Sequence, residues 1–422
     1  MDLSKRDADA VWHPYTQAQI EGLPIAVREA SGSVITAEDG KTYIDAISSW
    51  WVNLHGHSHP QIVKRLKEQA EKLDQVIFAG FTHEPAIELA ERLLNLCACN
   101  AGKVFYSDDG STAVEAALKI ALQYWYNQSK KRKTIIALEG AYHGDTFGAM
   151  SLSARGVFRE PYEDYVFEVK YVPRPENAES KSLEKLKQII AENDCAAFIF
   201  EPLIQGASGM KMYSAEGLDQ LIKICKDNDI ICIADEVFTG FGRTGKLLAC
   251  DHLKQKPDIY VFSKGLSGGV LPLGATVVPD YIFDKFLSES RQKMFLHGHS
   301  YSGNPLACAA GNASFELLLS RESAEKIKHI NKRHGGFLEQ LSSHTVVLNK
   351  RLLGTILAFE VQTSESNYLT PLRDKLYNFY IENGVLLRPL GNTVYIVPPY
   401  CISDEELDKI YDVIEKSLEL VK

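Results

Sequence analysis

Three short stretches of this sequence hold residues whose types and spacing can do chemistry together. The first, Asp108-Asp109-Gly110-Ser111-Thr112, combines a glycine with two hydroxyls. Glycine lets the backbone approach a ligand, and hydroxyls beside free N–H groups at a helix start make an anion site. A plain helix cap by Ser111 or Thr112 is the simpler reading of that stretch taken alone. The second is Asp235, which follows the apolar run 230–234. The third is Lys264, which follows the run 258–262 and precedes Gly265, Gly268 and Gly269. A lysine at the end of an apolar strand loses hydration, which lowers its pKa and favours a nucleophilic amine; the alternative is a lysine that snorkels to the rim. Together the three supply a phosphate cradle, a carboxylate for a pyridinium nitrogen and an amine for a Schiff base. Pyridoxal phosphate requires that set.

Other patterns carry less. Gly240-Phe241-Gly242-Arg243-Thr244-Gly245 matches a dinucleotide fingerprint, and with Lys246 it imitates a P-loop. It lacks the strand-to-helix turn of the first, and Leu247 stands where the second needs Ser or Thr. His55, His57 and His59 alternate, but no carboxylate or thiolate recurs near them in sequence, so a polar turn ending at Pro60 is expected. Of eight cysteines only Cys97 and Cys99 are close, without the second pair of a zinc site; reduced core thiols are expected. No metal site is expected.

These residues need strand ends and helix starts to hold them. Strands are expected at 104–106, 134–137, 196–200, 230–234 and 258–262, alternating with helices at 111–128 and 215–228. Short apolar strands between amphipathic helices indicate an α/β fold, with a mostly parallel sheet covered on both faces. A hairpin is expected at 33–36 and 41–44 around Asp39-Gly40, and a helix from Pro60. Asn304-Pro305 opens a long alanine-rich helix, and mixed helices and strands after it suit a smaller α+β lobe. The expected division is an N-terminal segment 1–49 contributing to that lobe, a large cofactor-binding domain 50–303, and a linking helix with C-terminal domain 304–422. The 422 residues carry a formal charge of −9 with 45% hydrophobic residues, which excludes disorder and a surface built for nucleic acid. No apolar run approaches the roughly 20 residues that cross a bilayer, and 1–10 lacks the apolar core of a signal peptide, so a cytoplasmic protein is expected.

The stretches 233–246 and 263–269, with Gly110-Ser111, Tyr142-His143-Gly144 and Gly303-Asn304-Pro305-Leu306-Ala307, resemble the class III aminotransferases of fold-type I. The resemblance runs from about residue 12 to the C-terminus. Trp12-His13-Pro14-Tyr15-Thr16, Ser48-Ser49-Trp50-Trp51, Tyr142-His143-Gly144-Asp145-Thr146, and Arg388-Pro389 with Tyr395 and Pro398-Pro399-Tyr400 are similar to the branch of that family that serves biotin synthesis. The resemblance implies pyridoxal phosphate held by Lys264 and Asp235, with Tyr142 stacked on its ring and Gly110 and Ser111 at its phosphate. His299 and Ser300 of a neighbouring subunit would join them there, in a homodimer, and Glu201 would lie near the cofactor. Tyr15, Trp50, Tyr142, Lys264, Gly298 and Tyr395 would line the substrate site, and Arg388 would meet a carboxylate. The implied substrates are 8-amino-7-oxononanoate and S-adenosylmethionine, used in turn at one site. Gly298-His299-Ser300 replaces the Gly-Pro-Thr of many members, which leaves lysine open as the donor. Class III enzymes acting on ornithine or 4-aminobutyrate are the rival reading; they share Lys264 and Asp235 but not the tryptophan pair.

Overall fold

Seven short strands form the central sheet of this computed structural model, which describes residues 2–99, 101–153, 156, 158–363 and 370–421. Across the sheet the strands run Gly102–Ser107, Gly274–Pro279, Ile259–Phe262, Ile231–Asp235, Cys195–Phe200, Thr134–Leu138 and Val169–Val172. Four of the six pairings are parallel, and only Gly274–Pro279 runs against both its neighbours. All six residues of Cys195–Phe200 are buried. A strand buried on both faces has no need to alternate, which is why it reads as a continuous apolar run. The expected α/β sheet is therefore present. Gly274–Pro279 and Val169–Val172 are additions to the five strands expected from sequence.

Helix Gly110–Tyr126 follows the edge strand directly and packs its alanine-rich face against Ile259–Phe262 and Gly274–Pro279. Its cap is Asp109, not Ser111 or Thr112. Asp109 accepts the Thr112 N–H at 2.8 Å, and the Thr112 hydroxyl accepts the Asp109 N–H at 3.1 Å, a reciprocal box that leaves the Ser111 hydroxyl available. Helix Pro305–Leu318 opens as expected, with the Asn304 side chain accepting the Ala307 N–H at 2.9 Å.

Thr42–Asp45 pairs antiparallel with Val34–Ala37, the expected hairpin, and also parallel with Val385–Leu386. The two ends of the chain thus share one sheet. Val347–Leu353, Ile356–Val361 and Thr393–Ile396 form a separate antiparallel sheet.

The decoy motifs resolve into packing. A Cβ on Gly242 would lie 2.7 Å from Ile327, and buried Arg243 donates to the carbonyls of Pro398 (2.8 Å) and Asn53 (3.2 Å). His59 caps helix Pro60–Ala70, and His55 bonds Ser314 at 3.0 Å. His57 does have a carboxylate, Asp45, at 2.9 Å; the fold brings it from twelve residues upstream. Among the described residues no group of His, Cys, Asp and Glu could hold a metal, the eight cysteines are free, and no helix is long and apolar enough to cross a membrane.

Candidate active site

Asp235 and Lys264 emerge from neighbouring parallel strands, with Asp235 opposite Val261. Gly110 starts its helix at the same end of the sheet, which is where open α/β sheets bind ligands. A cleft of about 540 Å³ joins them, a volume suited to a cofactor with its substrate. Its wall includes Gly110, Ser111, Tyr142, Glu201, Asp235 and Lys264, together with Tyr15 and Trp50.

One end of the cleft is built for an anion. With Thr112 N–H taken by Asp109, the amides of Gly110 and Ser111 remain at the positive end of the helix. The Ser111 hydroxyl accepts the Asp145 N–H at 3.1 Å. Side chains are excluded here: a Cβ on Gly144 would fall 2.1 Å from Ser111 Oγ, and one on Gly110 would fall 2.8 Å from Val237 Cγ1.

The centre holds the titratable groups. Asp235 accepts the Val237 N–H at 3.1 Å through one oxygen and meets His143 Nδ1 at 2.7 Å through the other. His143 is buried, its Nε2 has no partner among the described residues, and its backbone N–H donates to Ser153 Oγ at 3.1 Å. Burial lowers the pKa of Lys264, against the opposing pull of the Asp235 and Glu201 carboxylates. The lysine does not snorkel: its Nζ sits 5.0 Å from the Trp51 ring centroid and 5.9 Å from that of Phe238. Glu201 accepts the N–H groups of Tyr142 (3.0 Å) and Gly206 (3.1 Å), and burial pushes its carboxyl up to about 7.

The other end is aromatic. Tyr15 lies 5.3 Å from Trp50 and 6.0 Å from Phe158 between ring centroids. Its hydroxyl donates to Asp145 and stands 3.4 Å from that of Tyr142. Burial, followed by the Tyr15 hydroxyl, raises the pKa of Tyr142.

These residues fit pyridoxal phosphate. A helix N-terminus with a hydroxyl suits its phosphate, a buried carboxylate suits its ring nitrogen, a desolvated amine suits its aldehyde, and Tyr142 and Val237 offer flat or apolar walls. Aminotransferase class-III is the family whose model matches the chain, over residues 15–418.

The chain belongs to the class III aminotransferases.

The adenosylmethionine-8-amino-7-oxononanoate aminotransferase of Synechococcus elongatus is 45% identical to it, over 97% of this chain and 98% of that one. A crystal structure of the enzyme of that name from Methanocaldococcus jannaschii superposes with a TM-score of 0.94 at 34% identity, covering 100% of this chain and 99% of that one. A PLP-bound amine transaminase from an uncultivated Pseudomonas species gives 0.90 at 27%, covering 98% and 99%. Class III aminotransferases are pyridoxal phosphate enzymes, so this chain is a pyridoxal phosphate-dependent transaminase of the α/β fold-type I architecture.

Several expected site residues lie elsewhere than the sequence suggested. Tyr395 does not line the cleft of this aminotransferase. It is buried behind Trp51 and accepts the indole N–H at 3.1 Å, because its strand Thr393–Ile396 runs beneath the tryptophan. Arg388 does not line the cleft wall either. It stacks on Trp50, with 5.4 Å from guanidinium carbon to ring centroid, and donates to the Tyr15 carbonyl at 3.1 Å. Gly298, His299 and Ser300 run along the surface of their own chain: His299 meets Asp108 at 3.5 Å, and the Ser300 carbonyl accepts from Gln75 at 2.7 Å. His143, Trp51, Phe158 and Phe238 also line the cleft, although sequence reasoning assigns none of them a site role and Trp51 enters only through its motif. The motif Tyr142-His143-Gly144 contained the first, but nothing in its spacing announces a partner 92 residues later.

Proposed function

We propose that this chain transfers an amino group to 8-amino-7-oxononanoate, forming 7,8-diaminononanoate in biotin biosynthesis, with S-adenosylmethionine as the donor. The carrying observation is the wall of Tyr15, Trp50 and Phe158 beside Lys264, backed by Arg388. An apolar chain ending in a carboxylate matches an aromatic slot with an arginine behind it. The name of the 45% identical relative supports the same substrates.

Bound pyridoxal phosphate supplies the electron sink for exchanging an amino group with a carbonyl. Lys264 Nζ would hold the cofactor through its aldehyde and would move the proton at the reacting carbons. Its depressed pKa keeps a fraction of the amine neutral for that task. Asp235 would hold a proton on the ring nitrogen, and His143 donates to its carboxylate. Gly110 and Ser111 would hold the phosphate, Tyr142 would flank the ring, and Glu201 fixes the Tyr142 backbone. Tyr15 and Trp50 would bound the substrate, and Gly298 would join them from the neighbouring subunit. Arg388 reaches its carboxylate at the slot's margin.

The enzyme works as a cytoplasmic homodimer without a nucleic-acid partner. His299 and Ser300 complete the phosphate site of the neighbouring subunit. The large exposed side chains Ile77, Phe81, Leu296 and Tyr301 near them support a covered face. Steady-state amino transfer to 8-amino-7-oxononanoate, with S-adenosylmethionine and with lysine in separate assays, tests the reading. Turnover with the first donor supports it, turnover with lysine alone moves the donor, and turnover of ornithine or 4-aminobutyrate in place of both overturns it.

A further inference from the structure

We infer that Asp45 is a positioning residue for amino transfer: its buried carboxylate holds a strained turn that delivers Trp50 and Trp51 to the cleft. The inference rests on the proposed reading of Trp50 as a substrate wall.

The turn is strained on its own terms. Ser48, Ser49 and Trp51 have φ of 52°, 61° and 69°, and none is glycine. Ser49, with ψ −51°, sits near the tight γ-turn conformation that L-residues rarely adopt. Such a conformation persists only where the surroundings over-determine it, and it clusters at functional sites.

Asp45 supplies much of that determination. It ends the strand Thr42–Asp45, is fully buried, and accepts four bonds. One oxygen takes the N–H groups of Ile47 (3.2 Å) and Ser49 (2.9 Å); the other takes the Ser49 hydroxyl (3.2 Å) and His57 Nε2 (2.9 Å). Three of these four donors belong to the turn itself. The far side is tied by Ser48 Oγ donating to the Val397 carbonyl at 2.7 Å.

The turn's products face the chemistry. Trp50 packs against both Tyr15 and Arg388, and Trp51 lies against the Lys264 amine. Asp45 itself touches neither the cleft nor Lys264. Its effect on the reaction passes through the tryptophans.

Asp45→Asn keeps an acceptor for the two N–H groups but replaces the oxygen that takes the Ser49 hydroxyl and His57. Ser49→Gly then removes the strain that Asp45 offsets, because glycine adopts positive φ freely. The test measures Asp45→Asn and Asp45→Asn/Ser49→Gly as holoenzymes for KM and kcat with 8-amino-7-oxononanoate, and by near-ultraviolet circular dichroism after the cofactor is stripped. The single variant should keep the visible cofactor band, raise KM about tenfold or more with a smaller fall in kcat, and lose tryptophan dichroism. The double variant should recover most of both. Should Asp45→Asn fail to fold and the double variant fold, the strain argument is supported directly. Unchanged KM and dichroism in Asp45→Asn, no recovery in the double variant, or failure of both to fold would overturn the inference. If the wild-type enzyme does not turn over 8-amino-7-oxononanoate, the substrate reading fails, and the dichroism still decides the role of Asp45.

Discussion

His143 Nδ1 lies 2.7 Å from Asp235 Oδ2, with both side chains buried. The contact gives one carboxylate oxygen a charge-assisted donor, while the other, which accepts the Val237 N–H at 3.1 Å, keeps a further lone pair for the cofactor ring. Two consequences are measurable. Asp235→Asn should lower kcat/KM by on the order of 10²-fold or more, since the group that keeps a proton on the ring nitrogen is gone. His143→Ala should lower it by about tenfold, the worth of one hydrogen bond to a charged group. Equal losses in both would mean that the pair acts as a single unit.

The phosphate end is expected to be intolerant of a single methyl group. Gly144 has φ +130°, and a Cβ there would fall 2.1 Å from Ser111 Oγ. Gly144→Ala should displace that hydroxyl and weaken pyridoxal phosphate binding by about tenfold or more, the loss of one charge-assisted bond. Titrating the stripped protein with cofactor reads this without substrate. Ser111→Ala should weaken binding in the same direction.

Stability should fall on mild acidification. Burial pushes the imidazoles of His55 and His334 down to about 3 from an ordinary 6.5. In both cases the unfolded chain takes up the proton first. Stability is therefore full above about pH 6.5 and is lost as pH falls toward 3, at up to about 1.4 kcal/mol per pH unit for each histidine. Melting temperatures from about pH 7 down to about pH 5 should drop. The slope should be shallower in His334→Phe, which keeps a ring to pack against Tyr411.

Glu201 has the opposite sign. Its carboxyl is raised to about 7 from 4.5, with burial the largest cause. Between those values the folded state holds the extra proton, so this contribution falls as pH rises from about 4.5 to about 7 and then levels off. Glu201→Gln should remove that component, and its melting temperature relative to wild type should rise over the same interval.

Much of this site is legible in the chain because the chemistry-bearing residues stand next to elements with strong local signals. The runs 230–234 and 259–262 hold no charged residue, so Asp235 and Lys264 could be placed at strand ends before any contact was known. Gly110-Ser111 likewise falls between a strand and an alanine-rich helix. What sequence could not give is pairing at a distance. Asp45 with His57, and His143 with Asp235, meet only through the fold. Tyr395 sits behind Trp51 because of the strand Thr393–Ile396, whose register no local pattern reveals. The cap of helix Gly110–Tyr126 fell to Asp109, while Asp108, Ser111 and Thr112 are also capping types, and only backbone geometry chooses among them.

The most direct test of the account separates the two halves of the reaction. Holoenzyme mixed with S-adenosylmethionine alone should lose the visible absorbance of its bound cofactor, and 8-amino-7-oxononanoate added afterwards should restore it, because one cleft serves donor and acceptor in turn. Lys264→Ala should show neither change. A wild-type spectrum that S-adenosylmethionine leaves untouched while ornithine or 4-aminobutyrate bleaches it, or a Lys264→Ala spectrum and turnover matching wild type, would contradict the account.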